Sequence, residues 1–161
     1  MGADEERQRL VLDLSVDEDV ALPAAMLRKL QRDVARMVKA AALHEGRKDL
    51  EVALRLCGDA AIHELNRDYR KKNKPTDVLA FAQREAQSAH GDLLGDIVIS
   101  VETAKRQAKK GLYAELLHLA SHGLCHLLGY DHRDDEEERV MNARAAGLRK
   151  MAATTGRVRA A

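Results

Sequence analysis

The segment His122-Gly-Leu-Cys-His126-Leu-Leu-Gly129-Tyr-Asp-His132 constrains the fold more than any other stretch of this chain. Four residues is about one helical turn, so His122 and His126 leave a helix on the same face. Gly129 stands where that helix should stop, because glycine accepts the left-handed conformation that ends helices. The turn it permits swings His132 back toward the first two rings. Three imidazoles brought together from a helix and the following turn make a three-nitrogen zinc site, one zinc per chain, with a fourth position open to water. A core histidine explains one such residue on an apolar helix. It does not explain three at these spacings around a glycine.

The spacing matches the extended zinc-protease pattern, in which a glutamate follows the first histidine and acts as general base. Here that position is Gly123, which can neither accept a proton nor steer a water. A peptidase lacking its base loses a large factor in rate. The metal scaffold is therefore shared, while peptide hydrolysis by that route is disfavoured.

At 161 residues the chain fits one domain with a substantial core, and 45% apolar with 33% charged residues is ordinary globular usage. Three Tyr, one Phe and no Trp argue against holding single-stranded nucleic acid chiefly on an aromatic platform. A net charge of +1 means that any nucleic-acid contact rests on local patches. No apolar stretch approaches spanning length and the first residues are acidic, so the expectation is a cytoplasmic protein with no membrane partner. Cys57 and Cys125 form no disulfide framework.

Leu10, Leu12, Leu14 and Val16 alternate as a half-buried strand does. Pro23 suits a first helical position, followed by an apolar stripe from Leu27 to Ala41. Leu50 to Leu56 reads as a second strand, and Asp59 as the cap of a short helix through about Tyr69. Asp77 to Phe81 predicts a short strand, 82–92 a polar loop, and Leu93 to Ser100 a strand suited to a sheet interior. Helices are expected at about Val101 to Lys110 and Tyr113 to Leu128. The second carries leucines around most of its circumference and is the central, buried one. The acidic run from Asp134 opens a last helix, complementing its dipole. The domain should span 1–152, with 153–161 a disordered tail.

The segment from His122 to His132 resembles the signature of the YbeY family, bacterial zinc-dependent endoribonucleases of ribosomal RNA maturation. Two upstream blocks resemble that family as well: Glu64-Leu-Asn66-Arg-Asp-Tyr69-Arg70-Lys-Lys-Asn-Lys74-Pro75-Thr76-Asp77-Val-Leu-Ala-Phe81 and Leu94-Gly95-Asp96-Ile97-Val98-Ile99-Ser100. Departures are Cys125, where the family usually has an apolar residue, and Ala80 and Ala82, where it often has Ser and Pro. The resemblance implies a single α+β domain with a four-stranded mixed sheet packed with helices, the central helix carrying the metal motif. It implies cleavage of single-stranded RNA at the 3′ end of 16S rRNA and a role in ribosome quality control. The implied partners are rRNA, the small ribosomal subunit and an assembly GTPase.

Within that frame His122 and Arg70 are the candidate catalytic residues, and His122, His126 and His132 the metal ligands. Guanidinium binds phosphate oxygens in a planar, bidentate way, although the residues alone also allow Arg70 to be a solvated helix end. Arg67, Lys71, Lys72 and Lys74 around it are candidate RNA contacts. Asp131 is placed to take a histidine's free ring N–H. Asp96 is expected to stabilise the turn before its strand or line the cleft, and His118 to be a packed imidazole or proton shuttle. Cys125 reads as a packed thiol. Two other readings stay open: a zinc hydrolase of peptide or amide bonds using another base, and a ribosome-assembly factor with structural zinc.

Overall fold

The computed structural model describes residues 10–47, 49–83 and 93–160, with 154–160 described by backbone alone. Its elements are β1 (Leu10–Val16), α1 (Ala24–His44), β2 (Leu50–Cys57), α2 (Asp59–Arg70), β3 (Val78–Ala82), β4 (Leu93–Ser100), α3 (Val101–Gln107), α4 (Leu112–Leu127) and α5 (Asp135–Ala160). The strands form one mixed sheet in the order β1-β2-β4-β3. β1 and β4 flank β2 in parallel, and β3 runs antiparallel to β4. This is the expected α+β domain.

Period two decides what each face of the sheet buries. Leu50, Val52, Leu54, Leu56, Ile97 and Ile99 are wholly buried beneath Leu30, Met37, Leu116, Leu124 and Leu148 of α1, α4 and α5. The opposite face carries a smaller cluster of Cys57, Leu79 and Val98, closed by Ile62 of α2. From Ile97 to Ser100 β4 is covered on both sides, which accounts for the apolar run Ile97-Val98-Ile99.

The two faces are joined at the end of β4. Ser100, fully buried, caps α3 by accepting the Thr103 N–H at 3.2 Å and donates to Asp59 Oδ1 at 2.6 Å. Asp59 also receives Thr103 Oγ1 at 2.6 Å and pairs with Arg106 at 2.8 Å. Asp59 is thus not the cap of α2. It is the first helical residue, its carboxylate drawn across to α3, and Gly58 takes the cap position.

The backbone of α5 is helical to Ala160, and the boundary expected at 152 is marked by no break in it. The expected loop begins later than position 82: Ala82 closes β3, and 84–92 lie outside the described residues.

A cavity walled by histidines and cations

α4 ends as its sequence demands. Gly129 takes φ +103°, its N–H bonds the His126 carbonyl at 3.0 Å, and the Tyr130 N–H bonds the Cys125 carbonyl at 3.1 Å. These two bonds form a Schellman ending, which satisfies carbonyls that the helix leaves open. The chain then turns back, and His132 reaches the cavity lined by His118, His122 and His126. The cavity measures about 880 Å³ and opens at the β3 edge of the sheet.

His122 and His126 are half-buried, whereas His118 and His132 are exposed. Burial is the main force on His122 and, with the nearby charges of His118 and Arg149, lowers its pKa to about 4. Burial also lowers His126, helped by His132 and opposed by Asp131 and a backbone hydrogen bond at Tyr130. Both rings are therefore neutral at pH 7 and keep a lone pair for a cation.

The rings do not converge on one point as their spacing predicts. They rest as two pairs, His118 with His122 at 4.3 Å and His126 with His132 at 5.1 Å between centroids. Among the described residues no three His, Cys, Asp or Glu side chains form a group able to hold a metal ion as they stand. The donor set still suits a divalent transition metal, because the neutral imidazoles of His122 and His126 line a cavity that His132 also reaches.

The facing wall comes from the end of α2. Lys71 is left-handed at φ +60°, and its N–H returns to the Asn66 carbonyl. Asn66, 3% exposed, also donates through Nδ2 to the Lys74 carbonyl at 2.9 Å. One buried amide thus shapes the turn that presents Arg70, Lys72 and Lys74 to the cavity. Arg70 Nη2 donates to the Ala80 carbonyl of edge strand β3 at 2.7 Å. That leaves the remainder of a five-donor fork for other acceptors.

Comparison with known proteins supplies the family. Residues 16–152 match the sequence profile of Endoribonuclease YbeY. The chain belongs to this family. Among its relatives, Endoribonuclease YbeY of Desulfitobacterium hafniense is 42% identical over 146 residues, covering 82% of this chain and 90% of that protein. Endoribonuclease YbeY of Synechococcus sp. RCC307 is 45% identical over 142 residues, 84% of each chain. The solution structure of TM1509 from Thermotoga maritima superposes with a TM-score of 0.58 at 24% identity, covering 92% of this chain and 93% of that one. That likeness shows a shared fold.

Several residues sit elsewhere than their YbeY-like motifs suggest. Asp96 does not line this cavity. It faces the outer side of the sheet beside Gln83, because Ile97 and Ile99 point inward and period two sends Asp96 outward. Arg67 also lies outside the lining, paired with Asp68 at 3.0 Å and Glu64 at 3.9 Å, and so does Lys71. Asp131 accepts the backbone N–H of His132 at 2.8 Å and meets Arg133 at 3.5 Å, so it shapes the turn rather than holding a ring. His118 is exposed, with its ring resting on that of His122. Cys125 is packed: its thiol is buried and pushed up to about 11.

Two wall residues escape sequence reasoning. Asp77 lines the cavity beside His122, its Oδ1 accepting the Val78 N–H at 2.7 Å and its Oδ2 Gln107 Nε2 at 3.0 Å. Asn66 is the other, and an asparagine inside an amphipathic helix is the only signal the sequence offers for it.

Proposed function

We propose that this chain is a zinc-dependent endoribonuclease that cuts single-stranded RNA, with ribosomal RNA as its substrate. The family gives the reaction class. One observation carries the rest: imidazoles on one wall and phosphate-seeking cations on the other face a single open cavity. His122, His126 and His132 would hold the metal after side-chain rotation into the cavity. Bound zinc there supplies Lewis acidity and a water of near-neutral pKa.

The chain's own groups do the remaining work. Arg70 binds the scissile phosphate and opposes the charge that develops on it, while Lys72 and Lys74 hold the flanking backbone. Asp77, fixed by hydrogen bonds from Thr76, Val78 and Gln107, offsets positive charge near His122. His118, exposed and one turn before His122, rests its ring on that of His122 in the same cavity. By family resemblance the substrate is the 3′ end of small-subunit rRNA, reached in the cytoplasm on the assembling subunit with an assembly GTPase.

The peptidase reading loses ground on packing. A Cβ at position 123 would lie 2.7 Å from Ile97 Cγ2, so no glutamate base fits where that mechanism needs one. The test is elemental analysis of the purified chain together with cleavage of a short single-stranded RNA. About one zinc per chain and zinc-dependent cutting are expected. Zinc-dependent cutting of peptides with RNA left intact would replace this reading.

A further inference from the structure

Beyond the edge strand β3 lies a second recess on the outer face of the sheet, about 420 Å³ and lined by Tyr69, Phe81, Gln83, Asp96 and Arg55. That volume falls within the range of small-molecule sites. Of only four Phe, Tyr and Trp rings in the chain, two meet here. Tyr69 stands edge-on to Phe81 with centroids 5.5 Å apart, yet 68% of Tyr69 is exposed. An exposed ring set edge-on to a half-buried one offers an apolar face to a flat group entering the recess. Arg70 joins this recess to the cavity: it lines the cavity, bonds the Ala80 carbonyl of β3, and lies 5.7 Å from the centre of the Phe81 ring.

We propose that the Tyr69–Phe81 recess takes one unpaired nucleobase of the RNA strand whose phosphate sits at Arg70. This rests on the endoribonuclease reading and adds a base subsite to it. Charge decides what the occupant is. Among the described residues that line it the recess offers no uncommitted cation, because Arg55 is held bidentately by Asp17 at 2.9 and 2.8 Å. Asp96 adds a carboxylate, which repels phosphate and accepts N–H groups from a base edge. The occupant is therefore flat, neutral and able to donate, and a nucleobase meets all three conditions. Phosphate stays on the cavity side, with Arg70, Lys72 and Lys74. One stacking position also agrees with a chain too poor in aromatics for an extended platform.

The test uses the full chain and a labelled single-stranded RNA of about a dozen nucleotides, made uncleavable by 2′-O-methyl sugars and followed by anisotropy. Tyr69→Ala, at an exposed position, should weaken binding on the order of tenfold, and Tyr69→Trp should restore it. An abasic nucleotide is then walked along the strand. At one position it should weaken wild-type binding by the same factor and leave Tyr69→Ala unaffected. Unchanged binding by Tyr69→Ala overturns the subsite, and so does a loss that is equal for every abasic strand. If the wild-type chain cuts RNA normally while either result holds, only the subsite fails. If the wild-type chain neither binds nor cuts single-stranded RNA, the endoribonuclease reading fails first and takes the subsite with it.

Discussion

The two walls of the cavity are built on opposite principles. The histidine wall grows from α4, whose Leu116, Leu124 and Leu127 are almost wholly buried and whose Gly123 lies directly on Ile97 of β4. Helix and sheet over-determine where its rings begin, and burial keeps two of them neutral. The cation wall is a surface turn, exposed from Arg70 to Lys74 and shaped by the single buried amide of Asn66. Solvated cations cost little to keep charged, whereas a metal-binding imidazole must be held neutral and in register. Chemistry sits on the rigid wall and attraction on the soft one, so damage to each should read out differently.

The largest effect should come from the rigid wall. His126→Ala removes a ligand from the middle of the motif and should abolish stoichiometric zinc and bring RNA cleavage to background, while the fold survives. Full zinc in a folded variant lacking all of His122, His126 and His132 would break the comparison at its root. On the soft wall, Arg70→Ala should leave zinc and fold intact and slow single-turnover cleavage on the order of 100-fold, about 2.7 kcal/mol. Arg70→Lys should recover part of that loss, since an ammonium keeps the charge but not the fork. Wild-type rates in Arg70→Ala would reduce Arg70 to a solvated helix end.

The next effect separates the walls by pH. His122 is lowered from 6.5 to about 4, with burial the first cause, so between those values the unfolded chain binds more protons than the folded one. Stability then rises with pH across this window. The contribution is fully present above about pH 6.5, fades as pH falls, and is gone below about pH 4. One fully buried group would account for about 3 kcal/mol; the half-exposed ring reduces this to about 1–2 kcal/mol. Urea titrations of metal-free protein at pH 7 and pH 4.5 check it. The wild type should lose more stability than His122→Asn by that amount, and equal losses would refute it.

The rigid wall was also the legible one. Spacing by four placed His122 and His126 on one helical face, and Gly129 announced both the helix end and the turn that returns His132. The α+β architecture follows the same logic, since apolar period two and period 3.6 are direct records of burial. The soft wall left less trace. α2 ends on Lys71 in a left-handed conformation with no glycine to mark it, so the direction of Arg70, Lys72 and Lys74 depends on a tertiary bond made by Asn66. Asp96 was misplaced because the apolar run Ile97-Val98-Ile99 that follows it hides the parity that sends Asp96 outward. The ring pairing was illegible for a different reason. Spacing fixes where a side chain starts, while χ angles decide where it ends.

The smallest effect tests how tightly the rigid wall is seated. A methyl at Gly123 would stand 2.7, 3.2 and 3.3 Å from three carbons of Ile97. Overpacking of this kind costs about 1–3 kcal/mol, and replacing a mid-helix glycine by alanine returns about 1 kcal/mol of helix propensity. Gly123→Ala should therefore destabilise by about 1 kcal/mol, with some loss of cleavage as α4 shifts its histidines. The sign should depend on Ile97. In an Ile97→Ala background the obstruction is gone, leaving the propensity gain, so the same Gly123→Ala change should stabilise. Chemical denaturation of the four proteins of this double-mutant cycle measures both signs. Should Gly123→Ala stabilise even with Ile97 present, α4 would be free to move off β4, and the contrast between a rigid and a soft wall would be lost.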